Sequence, residues 1–454
     1  MRFQVKSPTS ESDDCRCWRS EWRARCWKST AGQAASEGQE NRRSGHIHQG
    51  FLDTRSNSTA AEARISQKAM GLLTVLEPGE RPQIATWYTL VPRGECPDVR
   101  VGHTLTFVPD TSEEGKVIIV GGANPNGSFS DAHVLDLGRL EWDVPEWKGL
   151  LPRYEHSSFI SASKPGDLWL FGGADECSNR NCVQVLNFET GLWRSPTING
   201  TPPTPRTCHG STAAIGDCLY VFGGGDKGAE PVQDTQLYMF DKATLSWSQQ
   251  STEGNPPAPR HGHVMIAVGS KLFIHGGLSG DTFFNDMHVI DTAAVNMRWK
   301  KIKMKGNIPK GCAAHSAIYH GKYIFIFGGM DVTGALNTMY KYHIETSCWT
   351  LLEFGPLLPA GRLDHAMSVI PWKIRKENEA SIPAEKNSDE QSPKGNTCEK
   401  SSQQSKADEN LVPRNCSIVQ NQTMNIVHLC LVFGGMDTQG EIYNDCFVTL
   451  VDGY

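Results

Sequence analysis

Apolar residues in this chain come in short runs of three to six, and six of those runs end on a Gly-Gly pair. Ile118-Ile119-Val120 leads into Gly121-Gly122, Trp169-Leu170-Phe171 into Gly172-Gly173, and Leu219-Tyr220-Val221-Phe222 into Gly223-Gly224. Leu272-Phe273-Ile274-His275 leads into Gly276-Gly277, Ile324-Phe325-Ile326-Phe327 into Gly328-Gly329, and Leu431-Val432-Phe433 into Gly434-Gly435. The first glycines stand 51, 51, 53 and 52 residues apart and then 106, which is two periods or one period carrying an insertion. Runs this short, punctuated by Gly, Pro, Asn and Asp, predict strands joined by turns, and a period near 50 residues predicts an array of stacked units.

Each copy carries satellites at constant offsets. Upstream stand Arg100 to His103, Arg153 to His156, Arg206 to His209, Arg260 to His263 and Arg362 to His365, all Arg-x-x-His, with a looser version from Lys310 to His315. Downstream come a further apolar run and a tryptophan, at 142, 193, 247, 299 or 349, and from the last four of these the next histidine is always 16 residues on. One unit thus holds about four strands, A to D. A sheet of that size is apolar on both faces and buries them only by stacking on its neighbours, and radial stacking gives a propeller. The sixth copy runs through its third strand, 446–452, and stops before any tryptophan. Trp87 stands 16 residues before His103, with no preceding copy to claim it. The segment around it is therefore expected as the outer strand of the sixth blade, joining the ends and removing two open sheet edges.

This arrangement of apolar run, Gly-Gly, apolar run and Trp resembles the kelch repeat, over about residues 84–372 and 428–452. The expected fold is all-β: a six-bladed kelch β-propeller closed by an N-terminal outer strand added to the last blade. The resemblance implies that strand A lines the central channel and that the tryptophan opens strand D. It says little about activity, because function lives in sites grafted on folds.

The rest of the chain is read as a leader over 1–69, a linker over 70–83 and the propeller over 84–454, with an insertion at about 373–425. The leader has no repeat, 12 Lys+Arg against 8 Asp+Glu, and a Ser-, Gly-, Gln- and Glu-rich run, a composition that predicts disorder. It has no apolar core of a secretory signal, and it could precede a start at Met70. In the last repeat, His365 to Gly434 takes 69 residues where the other copies take 13 to 18, so roughly 55 are added between strands A and B. That Lys-, Glu-, Ser-, Asn- and Gln-rich segment is expected as a disordered loop, with Ser392-Pro393 as a modification candidate. With 44 Lys+Arg, 50 Asp+Glu and a net charge of −6, the chain carries no basic excess for nucleic acid, and it has no apolar run long enough to span a membrane. Cys15, Cys17 and Cys26 are too few donors, too far from His46 and His48, for a zinc site. The propeller cysteines sit in or beside apolar runs as small buried side chains do, consistent with a reducing cytosol.

Candidate binding chemistry falls on the face shared by the B–C loops and the D–A turns, since loops on a rigid scaffold carry function. There the reading places Arg100, Arg153, Arg206, Arg260 and Arg362 at the channel mouth and the aromatic loop residues Phe129, Phe283 and Phe284. A ring of arginines would fit an acidic partner patch; alternatively each arginine bonds carbonyls or acids of the blades. The inner histidines at 103, 156, 209, 263, 315 and 365 recur too regularly for a single metal site and read as packing. Glu230 and Asp234, and Glu441 and Asp445, begin the four-residue Glu, Asp, His spacing of kelch-type iron proteins, but Tyr238 and Thr449 stand where histidine is needed. No catalytic residue, cofactor or metal is therefore assigned.

Finer motifs narrow the family. Val75-Leu-Glu-Pro-Gly79, Val120-Gly-Gly-Ala-Asn-Pro-Asn126, Gly149-Leu-Leu-Pro-Arg-Tyr-Glu-His156, Pro259-Arg-His-Gly-His-Val-Met265 and Gly361-Arg-Leu-Asp-His365 are similar to the Rab-GTPase effector family with kelch motifs. The resemblance runs from about Met70 to the C-terminus. It implies a non-enzymatic cytosolic protein, peripherally associated with endosome membranes, that binds the GTP form of the late-endosomal Rab-nine. It further implies a role in vesicle transport from endosomes to the trans-Golgi network, with room for other trafficking partners and no cofactor. The alternative is a substrate-recognition subunit of a ubiquitin ligase, although 69 polar residues cannot supply the BTB domain such kelch proteins usually carry upstream.

Overall fold

The computed structural model describes residues 73–110, 114–207, 213–226, 230–375 and 425–453. The leader, Cys208 and His209, and the insertion from 376 to 424 lie outside the described residues. Every regular element described is a strand, and the strands form six blades. Blade 1 runs outward from strand A (Thr104–Val108) through B (Lys116–Val120) and C (Ala132–Asp136) to D (Glu141–Asp143), each antiparallel to the next. Blade 4 repeats this with Val264–Val268, Lys271–His275, Met287–Asp291 and Met297–Lys301, and blade 5 with Ser316–His320, Tyr323–Phe327, Met339–His343 and Cys348–Leu351.

Blade 6 closes the ring. Its strands A to C are Ala366–Ile374, Asn425–Phe433 and Cys446–Leu450, and its outer strand is Trp87–Leu90, with Trp87 opposite Thr449 and Leu90 opposite Cys446. The Trp87 ring packs back on blade 5, with centroids 5.0 Å from Phe327 and 5.3 Å from Phe354. The ends of the chain thus share one sheet, which leaves the ring without a free seam.

The two-residue period of a strand explains the core. In blade 1, Val117, Ile119 and Leu135 face blade 6 and pack with Ile370, Leu429 and Leu431, whereas Ile118, Val120 and Val134 face blade 2 and pack with Leu168, Leu170 and Leu186. Both faces are buried, so the central strands read as continuous apolar runs rather than alternation. Each tryptophan of strand D leans back on the residue before the Gly-Gly of the preceding blade: Trp142 on Phe433 at 5.7 Å, Trp247 on Phe171 at 4.7 Å, Trp299 on Phe222 at 5.3 Å and Trp349 on His275 at 5.1 Å. Such tilted pairs add about 0.5–1.5 kcal/mol each beyond the area they bury.

Three features differ from the sequence reading. The chain leaves each outer strand and first crosses to the next blade's edge, where two or three residues pair parallel with its strand D. Arg93–Gly94, Asn199–Gly200, Thr252–Gly254 and Lys305–Gly306 do this in blades 1, 3, 4 and 5. The glycine is required, because at Gly94, Gly200 and Gly306 a Cβ would collide with the carbonyl of the neighbouring tryptophan. Second, the stretch 70–83, read as a linker, belongs to the fold from residue 74. Thr74–Val75 pairs parallel with the outer strand of blade 6, Leu76 is fully buried, and the Glu80 carbonyl accepts a 2.9 Å hydrogen bond from the Trp372 indole N–H. Lys373, Ile374 and Asn425, placed in the insertion by composition, are the last rungs of the A–B ladder of blade 6.

Candidate functional site

The B–C loops and the D–A turns emerge on one face, as the antiparallel order requires. Several B–C loops are small hairpins, such as Ala123–Asn124 against Gly127–Ser128 and Leu278–Ser279 against Thr282–Phe283. Beneath them lies a closed belt of backbone hydrogen bonds. The second glycine of each pair donates its N–H to the carbonyl at the head of the next blade's Arg-x-x-His turn: Gly122 to Arg153, Gly173 to Arg206, Gly224 to Arg260, Gly277 to Cys312, Gly329 to Arg362 and Gly435 to Arg100. Both glycines are needed for it. At Gly434 a Cβ would lie 2.8 Å from the His103 ring of the next blade, and at Gly435 it would lie 2.8 Å from Cβ of the blade's own His365. The inner histidines therefore fill the space that the glycines leave at each seam.

The five arginines expected on the partner surface are all 0% exposed. Arg260 donates to the carbonyls of Ala258 and Gly276 and to Asp286 at 2.7 Å, and its guanidinium lies 4.0 Å from the centre of the Phe284 ring. Arg100 does the same with Asp98, Gly121, Asp131 and Phe129, and Arg362 with Ala360, Gly434, Asp445 and Tyr443. Arg206 bonds the carbonyls of Thr204 and Gly223 and the carboxylate of Asp234. A partner cannot reach these side chains, so the alternative reading, arginines that bond carbonyls and acids of the blades, is the one the geometry supports. Burial pushes the Asp286 carboxyl up, but the Arg260 hydrogen bond and charge outweigh it and hold the group below its ordinary range. Asp234 and Asp445, half of the iron-type spacing, are these arginine partners, which removes them from any metal reading.

Phe129, Phe283 and Phe284 are half-buried. Phe129 and Phe284 roof the arginines below and bond the next blade's turn through their carbonyls, Arg153 N–H to Phe129 at 3.1 Å and Cys312 N–H to Phe284 at 3.2 Å. Among the described residues of the six B–C loops the charged side chains, apart from the arginine partners Asp131, Asp234, Asp286 and Asp445, are Asp175, Glu176, Asp226, Glu230, Asp281, Asp331, Asp437 and Glu441 against Arg180 alone, and Arg180 is paired with Asp175. These loops are thus acidic rather than basic. They also carry Val332, a 75% exposed apolar tip. Burial of the arginines was not legible in their sequence. Their partners were, since Asp131, Asp234, Asp286 and Asp445 recur ten or eleven residues after the first glycine of each pair.

The channel holds a cavity of about 550 Å³ lined by Thr104, Thr106, Ser158, Ser316 and Ser368 beside the inner histidines. Burial keeps three of those histidines neutral: His103 is held at about 3, and His315 and His365 well below the ordinary imidazole range. Blades 2 and 5 break the pattern. Arg153 has no carboxylate and donates to Gln184 at 2.7 Å and to the Gly172 carbonyl. Blade 5 has Cys312 where the others have arginine. Among the described residues, two clusters have donor atoms close enough for a metal ion: buried His275, Cys312 and His315, and half-buried His320, His428 and Asp452.

Comparison with known proteins gives one consistent result. A family model described as KLHDC2/KLHL20/DRC7 Kelch-repeats domain matches residues 102–235 and 167–375. A mouse protein named Rab9 effector protein with kelch motifs is 51% identical over 395 residues, 86% of this chain and 99% of that protein. Proteins of the same name from human and zebrafish are 54% and 43% identical, each over 84% of this chain and their own full length. A fission-yeast protein named Tip elongation aberrant protein 1 is 33% identical over 228 residues, only 20% of its length.

Proposed function

Because the chain belongs to the family of Rab9 effector proteins with kelch motifs, we propose that it binds the GTP-loaded form of Rab9, assists vesicle transport from endosomes to the trans-Golgi network, and acts by docking rather than by turnover. The observation that carries this is the identity, above half over nearly the whole length of relatives that bear that name. A rigid closed ring with variable loops on one face suits such a role, since it holds a docking surface without a moving part. The docking surface in this reading is the B–C and D–A face, with Phe129, Phe283, Phe284 and Val332 supplying apolar relief and the loop carboxylates meeting a basic patch on the partner. No helix of the described residues is long and apolar enough to cross a membrane. Membrane contact would then be peripheral and made through the lipid-anchored GTPase, from the cytosolic side.

The test is retention of purified full-length protein on a panel of Rab proteins, each loaded with a non-hydrolysable GTP analogue or with GDP. The expected result is selective retention on GTP-loaded Rab9, lost when Asp226, Asp281 and Glu441 are replaced together by lysine. Retention indifferent to nucleotide would overturn the effector reading. Nucleotide-dependent retention that survives the triple substitution would move the footprint off this face and leave the effector reading standing.

A further inference from the structure

The seam between blades 4 and 5 departs from the other seams at two positions that face each other. The residue before Gly-Gly is Val120, Phe171, Phe222, Phe327 or Phe433 in the other blades and His275 in blade 4. The head of the Arg-x-x-His turn is arginine in five blades and Cys312 in blade 5. Thr338 stands where the arginine-bonding Asp286 or Asp445 stands elsewhere, so blade 5 has lost both halves of the charged pair.

The two substitutions put two donor side chains beside the inner histidine His315. His275, Cys312 and His315 are only 2%, 3% and 5% exposed. Nδ1 of His275 lies 3.2 Å from Nε2 of His315, and Sγ of Cys312 lies 3.7 Å from Nδ1 of His315. The rings of His275 and His315 meet edge to face at 5.2 Å, the contact that Phe433 and His103 make at 5.3 Å across the seam of blades 6 and 1. Packing at this position therefore asks only for an aromatic ring, and the nitrogens of His275 are surplus to it. As a hydrogen-bond relay from thiol to imidazole to imidazole the cluster is incomplete, because Nε2 of His275 is buried with no partner. The donor atoms of the three residues all lie within 4.8 Å of one another.

We infer that His275, Cys312 and His315 form a site for a thiophilic divalent cation of the zinc class, bridging blades 4 and 5. Two imidazoles and one thiol are the donors that such an ion prefers over the oxygen-seeking cations. Neutral imidazole is the ligand form. On binding, the S–H bond of Cys312 breaks, a metal–sulfur bond forms and the proton leaves to solvent. Asp331 acts on Cys312 and Asp286 on His275, which offsets the net positive charge of the ion, while Arg260 opposes it. His315 lines the central channel, which gives the ion a route in.

The test uses the full-length protein, reduced and stripped of metal, titrated with Co²⁺ and then with Zn²⁺. The expected result is about one equivalent of Co²⁺ bound with a thiolate-to-cobalt charge-transfer band, displaced by Zn²⁺, and a thermal midpoint that rises with added Zn²⁺. His275→Phe places there the residue found in four other blades and should fold. It and Cys312→Ser should each lose the band and weaken binding by more than about 100-fold, beyond the cost of losing an outer contact. No band in the parent protein would overturn the inference, and so would an unchanged band in folded His275→Phe or Cys312→Ser. The same holds if Co²⁺ binds without that band and His320→Ala abolishes the binding, because the ion would then belong to the half-buried His320, His428 and Asp452 cluster, which holds no thiol.

Discussion

Blades 4 and 5 turn into their innermost strands along the same backbone path, but they fill the turn with opposite chemistry. Blade 4 buries a full charge: Arg260 is sealed from solvent, and Asp286, 2.7 Å away, is 14% exposed. Blade 5 puts a neutral thiol and two neutral imidazoles at the equivalent point, with the Cys312 thiol pushed up to about 12 by burial. Both turns keep the belt hydrogen bond, from Gly224 to Arg260 and from Gly277 to Cys312. The backbone belt is thus the constant of the propeller, and the side chain beneath it can change so long as its polar atoms find partners. Replacing one half of the charged pair should therefore cost far more than any change in the neutral turn.

Arg260→Met is expected to show the largest effect, about 3–5 kcal/mol, because it leaves the half-buried Asp286 carboxylate with only the exposed Lys301 ammonium, 3.3 Å away, as a full counter-charge. Urea unfolding of the folded variant measures it, and a loss below about 1 kcal/mol would mean that the pair contributes nothing to the seam. Arg153→Met sharpens the comparison. Its partner Gln184 is neutral and keeps its bonds to the Leu151 N–H and the Gly149 carbonyl, so the cost should be the smaller one of the lost hydrogen bonds, about 1–3 kcal/mol. If the two variants lose the same stability, charge is not what distinguishes the turns.

How far these differences could be read from the sequence depends on their range. Gly-Gly pairs, tryptophans and the orphan Trp87 recur at fixed spacing because they serve the same inter-blade contact each time, so the six blades and their closure were legible. The parallel edge strands were not, since two residues such as Arg93–Gly94 carry no periodicity, although a glycine six residues before Arg100, Arg206, Arg260 and Cys312 marks them. The arginines misled because residue type gives charge and not direction. A guanidinium near a channel mouth reads as a surface cation until its carbonyl and carboxylate partners are placed, and then the exposed charge that remains on the B–C loops is negative.

Acid should act on the neutral seams next. The His275 imidazole is held at about 4 by burial, whereas in the unfolded chain it protonates near its ordinary 6.5. From about pH 6.5 down to about 4 the unfolded state takes a proton that the folded state refuses, so stability falls as pH falls, by about 1.4 kcal/mol per pH unit for this one group. His103, His315 and His365 act in the same direction. In metal-free protein, His275→Phe should therefore flatten the pH dependence of the urea midpoint between about 6.5 and 4. A slope unchanged from the parent would show that His275 does not stay neutral in the fold.

The smallest effect on stability, and the one that separates the belt from the loops above it, is expected at Val332. Its side chain is 75% exposed at the tip of the hairpin Met330–Asp331 against Gly334–Ala335, so it buries little apolar area for the fold to lose. Val332→Ser should change unfolding stability by no more than about 0.5 kcal/mol, as surface substitutions away from special contacts do. Retention on GTP-loaded Rab9 should weaken nonetheless, because an exposed apolar tip among carboxylates has its value only when a partner covers it. A variant that loses both stability and retention would place Val332 in the scaffold, and one that loses neither would take blade 5 out of the docking face.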